Sequence, residues 1–216
     1  MTLALLLGLA APAHAQASVH HFTLGGSAEV VSEDCIRLTP DEPYQTGSAW
    51  FEQALDLSHP FELRLTLLLG DKDAQGADGI VFVLHPRPET GWRGEGMGFA
   101  GLVPSLGVEF DTYRNHHLGD PASDHVAVMR DGRSYHTTDP AEVRELEDGQ
   151  QHPLRVVYDP ALGLEVHLDG RRKASVPPAT VRDIFGPVGQ VHWGVTAGTG
   201  RLSNRQLVCL PTERLG

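Results

Sequence analysis

Between residues 107 and 128 the chain reads GVEFDTYRNHHLGDPASDHVAV, with four carboxylates, an asparagine and three histidines in one short segment. Acids that crowded repel one another, so solvent, a proton held for catalysis or a metal ion must offset the repulsion. Glu109, Asp111 and Tyr113 are spaced two apart, which on a strand puts them on one face, and the chain then passes Asn115 and returns with Asp120, Asp124 and His125. A hairpin in that order can gather its oxygen donors around one point. Calcium takes about six to eight oxygens from carboxylates, amides, backbone and water, while an imidazole beside carboxylates suits Mn²⁺ or another first-row ion. The donors therefore suggest two neighbouring ions, one harder than the other. The Asp-x-Asx-x-Asx-Gly run of an EF-hand is missing. The plain alternative is a solvated acidic hairpin with His125 on the surface.

The elements that must position these residues are strands. FELRLTLLL (61–69), GIVFVL (79–84), SLGVEF (105–110), HVAVM (125–129), PLRVVY (153–158), LGLEVHL (162–168) and QVHWGVTA (190–197) are short, mostly alternating and rich in β-branched and aromatic residues. Turn formers such as Asp131-Gly132, Asp159-Pro160 and Asp169-Gly170 separate them, as in a sandwich of antiparallel sheets. In LGLEVHL, Glu165 and His167 alternate with Leu164, Val166 and Leu168, so one face is wet and the other dry. Only ATVRDIF (179–185) reads as a helical turn. The fold class is all-β, an antiparallel β-sandwich. Two long loops, 85–102, heavy in Gly and Pro, and 114–124, are candidates for function. No phosphate loop or Rossmann glycine pattern is present, so nucleotide chemistry has no support.

A formal charge of −11 over 216 residues, with no basic stripe, argues against nucleic acid as a partner. Residues 1–17, MTLALLLGLAAPAHAQA, form an apolar run with Ala13 and Ala15 in the spacing of a signal-peptidase site, though no Lys or Arg precedes it. They read as a signal peptide, with one domain over 18–216 and a secreted or periplasmic location. A bilayer span needs about 20 apolar residues, and no later segment supplies them. Cys35 and Cys209 are the two cysteines, a candidate disulfide in an oxidising compartment, with two buried free thiols as the alternative. His20, His21, His116 and His117 are assigned to solvent.

The order VEFDTYRN, a short loop, then GDPASDHVAV resembles the metal-binding loop of the legume-type (L-type) lectins, whose fold is the concanavalin-like jelly roll. GSAEVVSEDCIRLTP, QTGSAWF and VTAGTG extend the resemblance over nearly all of the chain after residue 17. It implies Glu109, Asp111, Asp120 and His125 on a transition metal such as Mn²⁺. Calcium would be held by Asp111, the Tyr113 carbonyl, Asn115 and Asp120, with Asp111 and Asp120 bridging both ions. It implies a cis Ala77–Asp78 peptide in GADGIVFVL, and neighbouring first and last strands that would bring Cys35 to Cys209. The aspartate that legume members carry soon after the metal histidine is Met129 here.

The same resemblance implies glycans as partners. Asp78 would accept from two sugar hydroxyls, the Asn115 amide would donate to one, and Gly96 in RGEGMG would supply a backbone N–H, with Gly94 and Gly98 as alternatives. Tyr113 would stack on the pyranose, and the loop GTGRL, with Gly200 and Arg201, would set sugar choice. The metals would organise this pocket without touching the ligand. A rival is a glycoside hydrolase of the same jelly-roll kind, whose signature is Glu-x-Asp-x-Glu. EFDTY puts Tyr113 at the acid's place, which removes one member of the carboxyl pair that a retaining mechanism requires, so no enzyme is expected. A third reading is an adhesion module rigidified by calcium, which would have no use for Asp78 or the glycine loop.

Overall fold

In the computed structural model, which describes residues 18–186 and 188–211, every expected strand forms with its ends within one residue of those read from the sequence. The expected signal peptide lies outside the described residues. All strand pairs are antiparallel and build two sheets. The front sheet runs Phe22–Gly26, Thr46–Phe51, Gln190–Gly198, Gly79–His85, Leu106–Asp111, His125–Arg130, Ala141–Glu142, with Leu55–Asp56 pairing on the Gln190–Gly198 strand. The back sheet runs Arg171–Val176, Gly163–Leu168, His152–Asp159, Phe61–Leu68, Gln206–Cys209, Cys35–Thr39, Glu29–Val30. The helical turn is the helix Pro178–Phe185, which buries Val181, Ile184 and Phe185.

The back sheet keeps the alternation that betrays it. In Gly163–Leu168, Leu164, Val166 and Leu168 are buried while Glu165 and His167 stay half-exposed. The front sheet is different, because Gly79–His85 and Leu106–Asp111 are buried along their whole length. Ile80, Phe82, Leu84, Val108, Phe110, Val126 and Val128 fill the core between the sheets. The opposite face, Val81, Val83 and Met129, packs with Trp50, Met97, Phe99 and Leu102 in a second apolar cluster. Phe99 lies so close over Gly107 that a Cβ there would sit 2.7 Å from the ring, so only glycine fits. The segment 85–102, expected to be a loop, is thus a lid of chain fixed across the outer face, with Gly91 N–H donating to Gly98 O and Gly101 N–H to Gly132 O.

Several strands escaped the sequence patterns. Phe22–Gly26 carries two glycines, and Arg171–Val176 opens on Arg, Arg and Lys. Both are edge strands, where charge and weak propensity are tolerated on the solvated side. Cys35 and Cys209 face each other in the register of Cys35–Thr39 and Gln206–Cys209 and are disulfide-bonded. The bond joins positions 174 residues apart, a constraint on the unfolded chain worth about 2–5 kcal/mol.

Candidate functional site

Strand parity decides which side chains reach the site. Val108 and Phe110 point into the core, so Glu109 and Asp111 project from the outer face beneath the loops, and both are buried. Asp111 pairs in register with His125, the first residue of the next strand, which is also buried. The same-face expectation fails for Tyr113, because the strand ends at Asp111. Instead the Asp111 Oδ1 accepts from the Tyr113 N–H at 2.7 Å, turning the chain out of the sheet and leaving the Tyr113 ring exposed. Asp120 closes the loop from the other side, its Oδ2 accepting from the Asn115 N–H at 2.5 Å. Loop and strands together bring ligand atoms of Asp111, Asp120 and His125 within 4.8 Å of one another. Asp124, which the sequence placed with the acidic group, turns away to accept from the Leu146 N–H.

The chemistry of these groups suits a cation. His125 Nε2 lies 3.7 Å from Glu109 Oε1 and 3.8 Å from Asp120 Oδ1, too far for hydrogen bonds. All three atoms are buried without a hydrogen-bond partner, as are Asn115 Oδ1 and Asp78 Oδ2. Together these five atoms are half of all such buried side-chain atoms among the described residues, whereas buried polar groups are normally paired. Burial, then the charge of Glu109, holds Asp111 well above the usual carboxylate range. A divalent ion among them would supply the missing partners and reverse that shift. The donor set fits the two-ion expectation: carboxylate, amide and backbone oxygens for calcium, carboxylates and imidazole for a first-row ion.

Asp78 sits beside this group. Its peptide with Ala77 is cis, its carbonyl accepts from the Thr112 N–H at 3.0 Å, and its N–H donates to Gly198 O at 3.1 Å. Burial, with a smaller contribution from the Glu95 charge, pushes the Asp78 carboxyl up to about 7. Gly200 lies against Asp78, and a Cβ there would meet Oδ2 at 3.3 Å. Loop 198–202 is fastened through Thr199, whose N–H donates to Gln45 O and whose hydroxyl donates to Glu42 O. Arg201 is exposed, and among the described residues no hydrogen bond or ion pair joins it to the site. Gly96 is buried inside a single 3-10 turn, Gly94–Gly96, with its N–H 3.4 Å from Arg93 O, while Gly94 has open space where a side chain would stand.

Three residues at or near the site, Glu95, His136 and Glu147, have no signature in the sequence. Glu95 accepts from the Asn115 Nδ2 at 3.4 Å and lies 3.0 Å from His117 Nε2, so the Asn115 amide is turned towards a carboxylate and His117, exposed as expected, forms part of the rim. His136 Nε2 stands 2.8 Å from Glu109 Oε1. Glu147 is buried behind the Asp73–Ala77 loop and accepts from Asn204 Nδ2 at 2.6 Å. Each comes from a different loop, and no local spacing connects it to the acidic segment.

Burial, chiefly, and the charge of Asp124 push Glu147 up to about 8 despite the Asn204 hydrogen bond. A raised native pKa gives stability that is complete below about 4.5 and is lost as the pH rises through about 8. Melting curves in EDTA should therefore fall between pH 6 and pH 9 in the wild type and fall less in Glu147→Gln. The difference should be on the order of 1–3 kcal/mol, the cost of an uncompensated buried polar group. Equal pH dependence in the two proteins would refute the assignment.

Comparison with known proteins adds a family and a fold. Residues 14–212 match the family model for the legume lectin beta-barrel domain of L-type lectins. Among curated proteins, the pesticidal crystal protein Cry22Aa of Bacillus thuringiensis is 38% identical over 98 residues, 44% of this chain and 13% of that protein. The galactose-binding lectin of Arachis hypogaea is 39% identical over 64 residues, 26% of this chain and 23% of that protein. The chain thus spans less than a quarter of the length of either relative. Among solved structures, the lectin from Bauhinia forficata in complex with GalNAc superposes with a TM-score of 0.73 at 20% identity, covering 89% of this chain and 91% of that one.

Proposed function

Because the chain belongs to the L-type lectin domain family, we propose that it is a metal-dependent carbohydrate-binding protein in which Ca²⁺ and a first-row transition ion organise a shallow sugar pocket. The observation that carries this reading is the convergence of unpartnered buried atoms from Glu109, Asn115, Asp120, His125 and Asp78. Glu109, Asp111, Asp120 and His125 would hold the transition ion, and Asp111, the Tyr113 carbonyl, Asn115 and Asp120 the calcium. When bound, the ions supply positive charge that keeps the carboxylates ionised and fixes the 112–120 loop.

The chain's own residues then present the sugar site. Asp78 offers a buried acceptor oxygen at the edge of the pocket, where sugar hydroxyls can donate to it. The exposed face of Tyr113 supplies an apolar plate for a pyranose, and Gly200 leaves room beside Asp78 because it has no side chain. The 94–96 turn, through Gly96 or its more open neighbour Gly94, is the candidate backbone donor. Glu95, His117 and Arg201, all exposed, would form the polar part of the rim, where sugar choice would be made.

Hydrolysis is disfavoured by the acids themselves. Glu109 is buried among Asp120, His125 and His136, and Tyr113 takes the place of a second glutamate, so the acidic strand does not offer the carboxyl pair of a retaining jelly-roll hydrolase. The Cys35–Cys209 bond fits the proposed secreted or periplasmic location. Among the described residues no helix is long and apolar enough to cross a membrane.

A glycan array run with Ca²⁺ and Mn²⁺, and again with EDTA, tests the reading. It should carry galactose- and GalNAc-terminated glycans, given the ligands named for the relatives. Binding that disappears with EDTA and returns with metal is expected. Release of reducing sugar from the same glycans, abolished by Glu109→Gln, would instead establish an enzyme.

A further inference from the structure

His136 lies in the loop RSYHTTDP, residues 133–140, to which the reading of the sequence assigned no role. The loop is pinned to the strand His125–Arg130, because the Thr137 N–H and hydroxyl both donate to Val128 O, at 2.7 and 2.9 Å. That clasp turns the His136 side chain inwards, leaving it 8% exposed, with its ring 5.2 Å from the ring of His125. Its Nε2 lies 2.8 Å from Glu109 Oε1 and 3.4 Å from Asp120 Oδ1. The same two oxygens lie 3.7 and 3.8 Å from His125 Nε2, so both imidazoles and both carboxylates face one point. Proximity of this kind is how donor atoms stand when their lone pairs share a point between them. Glu109, His125 and His136 present ligand atoms within 4.8 Å of one another, as Asp111, Asp120 and His125 do, and His125 belongs to both groups.

We propose that His136 is a direct ligand of the transition ion through Nε2, so that this ion is held by two imidazoles together with Glu109, Asp120 and Asp111. The proposal rests on the reading that the site takes such an ion, and it alters which ion that is. Each imidazole that joins carboxylate oxygens moves a site away from Mn²⁺ and towards Co²⁺, Ni²⁺ or Zn²⁺, because nitrogen donors bind these borderline ions more strongly. Zn²⁺ or Co²⁺ therefore replaces Mn²⁺ as the preferred occupant, beside an unaltered calcium. A purely structural His136, paired with Glu109 as a counter-charge, would leave the ion with a single nitrogen and the metal preference unchanged.

The nitrogen count separates these cases. Protein labelled with ¹⁵N-histidine and loaded with Mn²⁺ as a paramagnetic probe should show two coordinated imidazole nitrogens by electron spin-echo spectroscopy, and His136→Gln should show one. In calorimetric titrations the ratio of Zn²⁺ to Mn²⁺ affinity should fall at least about tenfold in that variant, while Ca²⁺ affinity stays within about twofold. One nitrogen in the wild type overturns the assignment even if the variant does not fold, and an unchanged affinity ratio overturns it in a folded variant. Glycan binding is measured separately on the metal-loaded wild type. Two nitrogens without glycan binding would remove the carbohydrate reading and keep His136 as a ligand, whereas one nitrogen with glycan binding would do the reverse.

Discussion

Asp111→Ala should lose metal, thermal stability and sugar binding together. Asp111 is fully buried at the end of its strand, faces His125 in register, and is the residue assigned to both ions. Bound metal stabilises the native state by mass action, by about 2.7 kcal/mol when free ion is a hundred times its Kd, and the variant forfeits that contribution. In EDTA the order of stabilities should close up or reverse. The buried Asp111 carboxyl is held above its ordinary range by desolvation and by Glu109, so its contribution to the metal-free fold is complete below the unfolded value near 3.8 and is lost as the pH rises. Alanine removes this buried ionisable group, and with it the cost of ionising it away from water. Metal analysis, melting curves with and without EDTA, and glycan titration read the three effects. Sugar binding that survived Asp111→Ala at wild-type strength would defeat the metal-organised pocket.

Asp78→Asn should separate the two properties that Asp111→Ala removes together. Asp78 lies beside the metal group, with its backbone tied to Thr112 and Gly198 and one carboxylate oxygen buried without a partner. Hydrogen bonds to a charged group contribute about 1.5–3 kcal/mol each, so loss of a carboxylate that accepts from two sugar hydroxyls should weaken binding by at least about a hundredfold. Metal content should remain near the wild-type value, because Asp78 is not among the assigned ligands. The variant should also be no less stable in EDTA, since a carboxyl pushed up to about 7 by burial is relieved by a neutral amide. Glycan binding retained in Asp78→Asn would place the sugar elsewhere. Metal lost with it would make Asp78 part of the metal shell.

The strands and the core of the acidic segment were legible because both are written in local order. Alternation in LGLEVHL, and the continuous apolar runs of GIVFVL and SLGVEF, mark one-sided and two-sided burial without reference to any distant residue. Glu109, Asp111, Asp120 and His125 fall within one strand–loop–strand unit, so their spacing allowed a shared site, and the resemblance to the L-type lectins favoured it over a solvated hairpin. Even there, parity failed at Tyr113, two residues beyond the strand end. The Asx turn at Asp111 carries Tyr113 out of the sheet, which depends on a side-chain hydrogen bond that spacing does not express.

Tertiary structure alone decided the rest. Phe22–Gly26 and Arg171–Val176 are strands because sheet edges accept them, not because their residues demand it. The segment 85–102 looked like a loop and is a lid whose Met97, Phe99 and Leu102 bury the outer face of the front sheet. Glu95, His136 and Glu147 reach the site region from separate loops, each fixed by contacts made across the fold: Asn115 with Glu95, Val128 with Thr137, Asn204 with Glu147. Periodicity is a property of neighbouring residues, and it tells on which face a side chain leaves its own strand. Where loops from distant parts of the chain converge is set by packing and hydrogen bonding across the sandwich, and that is why the second histidine beside Glu109 became visible only once the chain was folded.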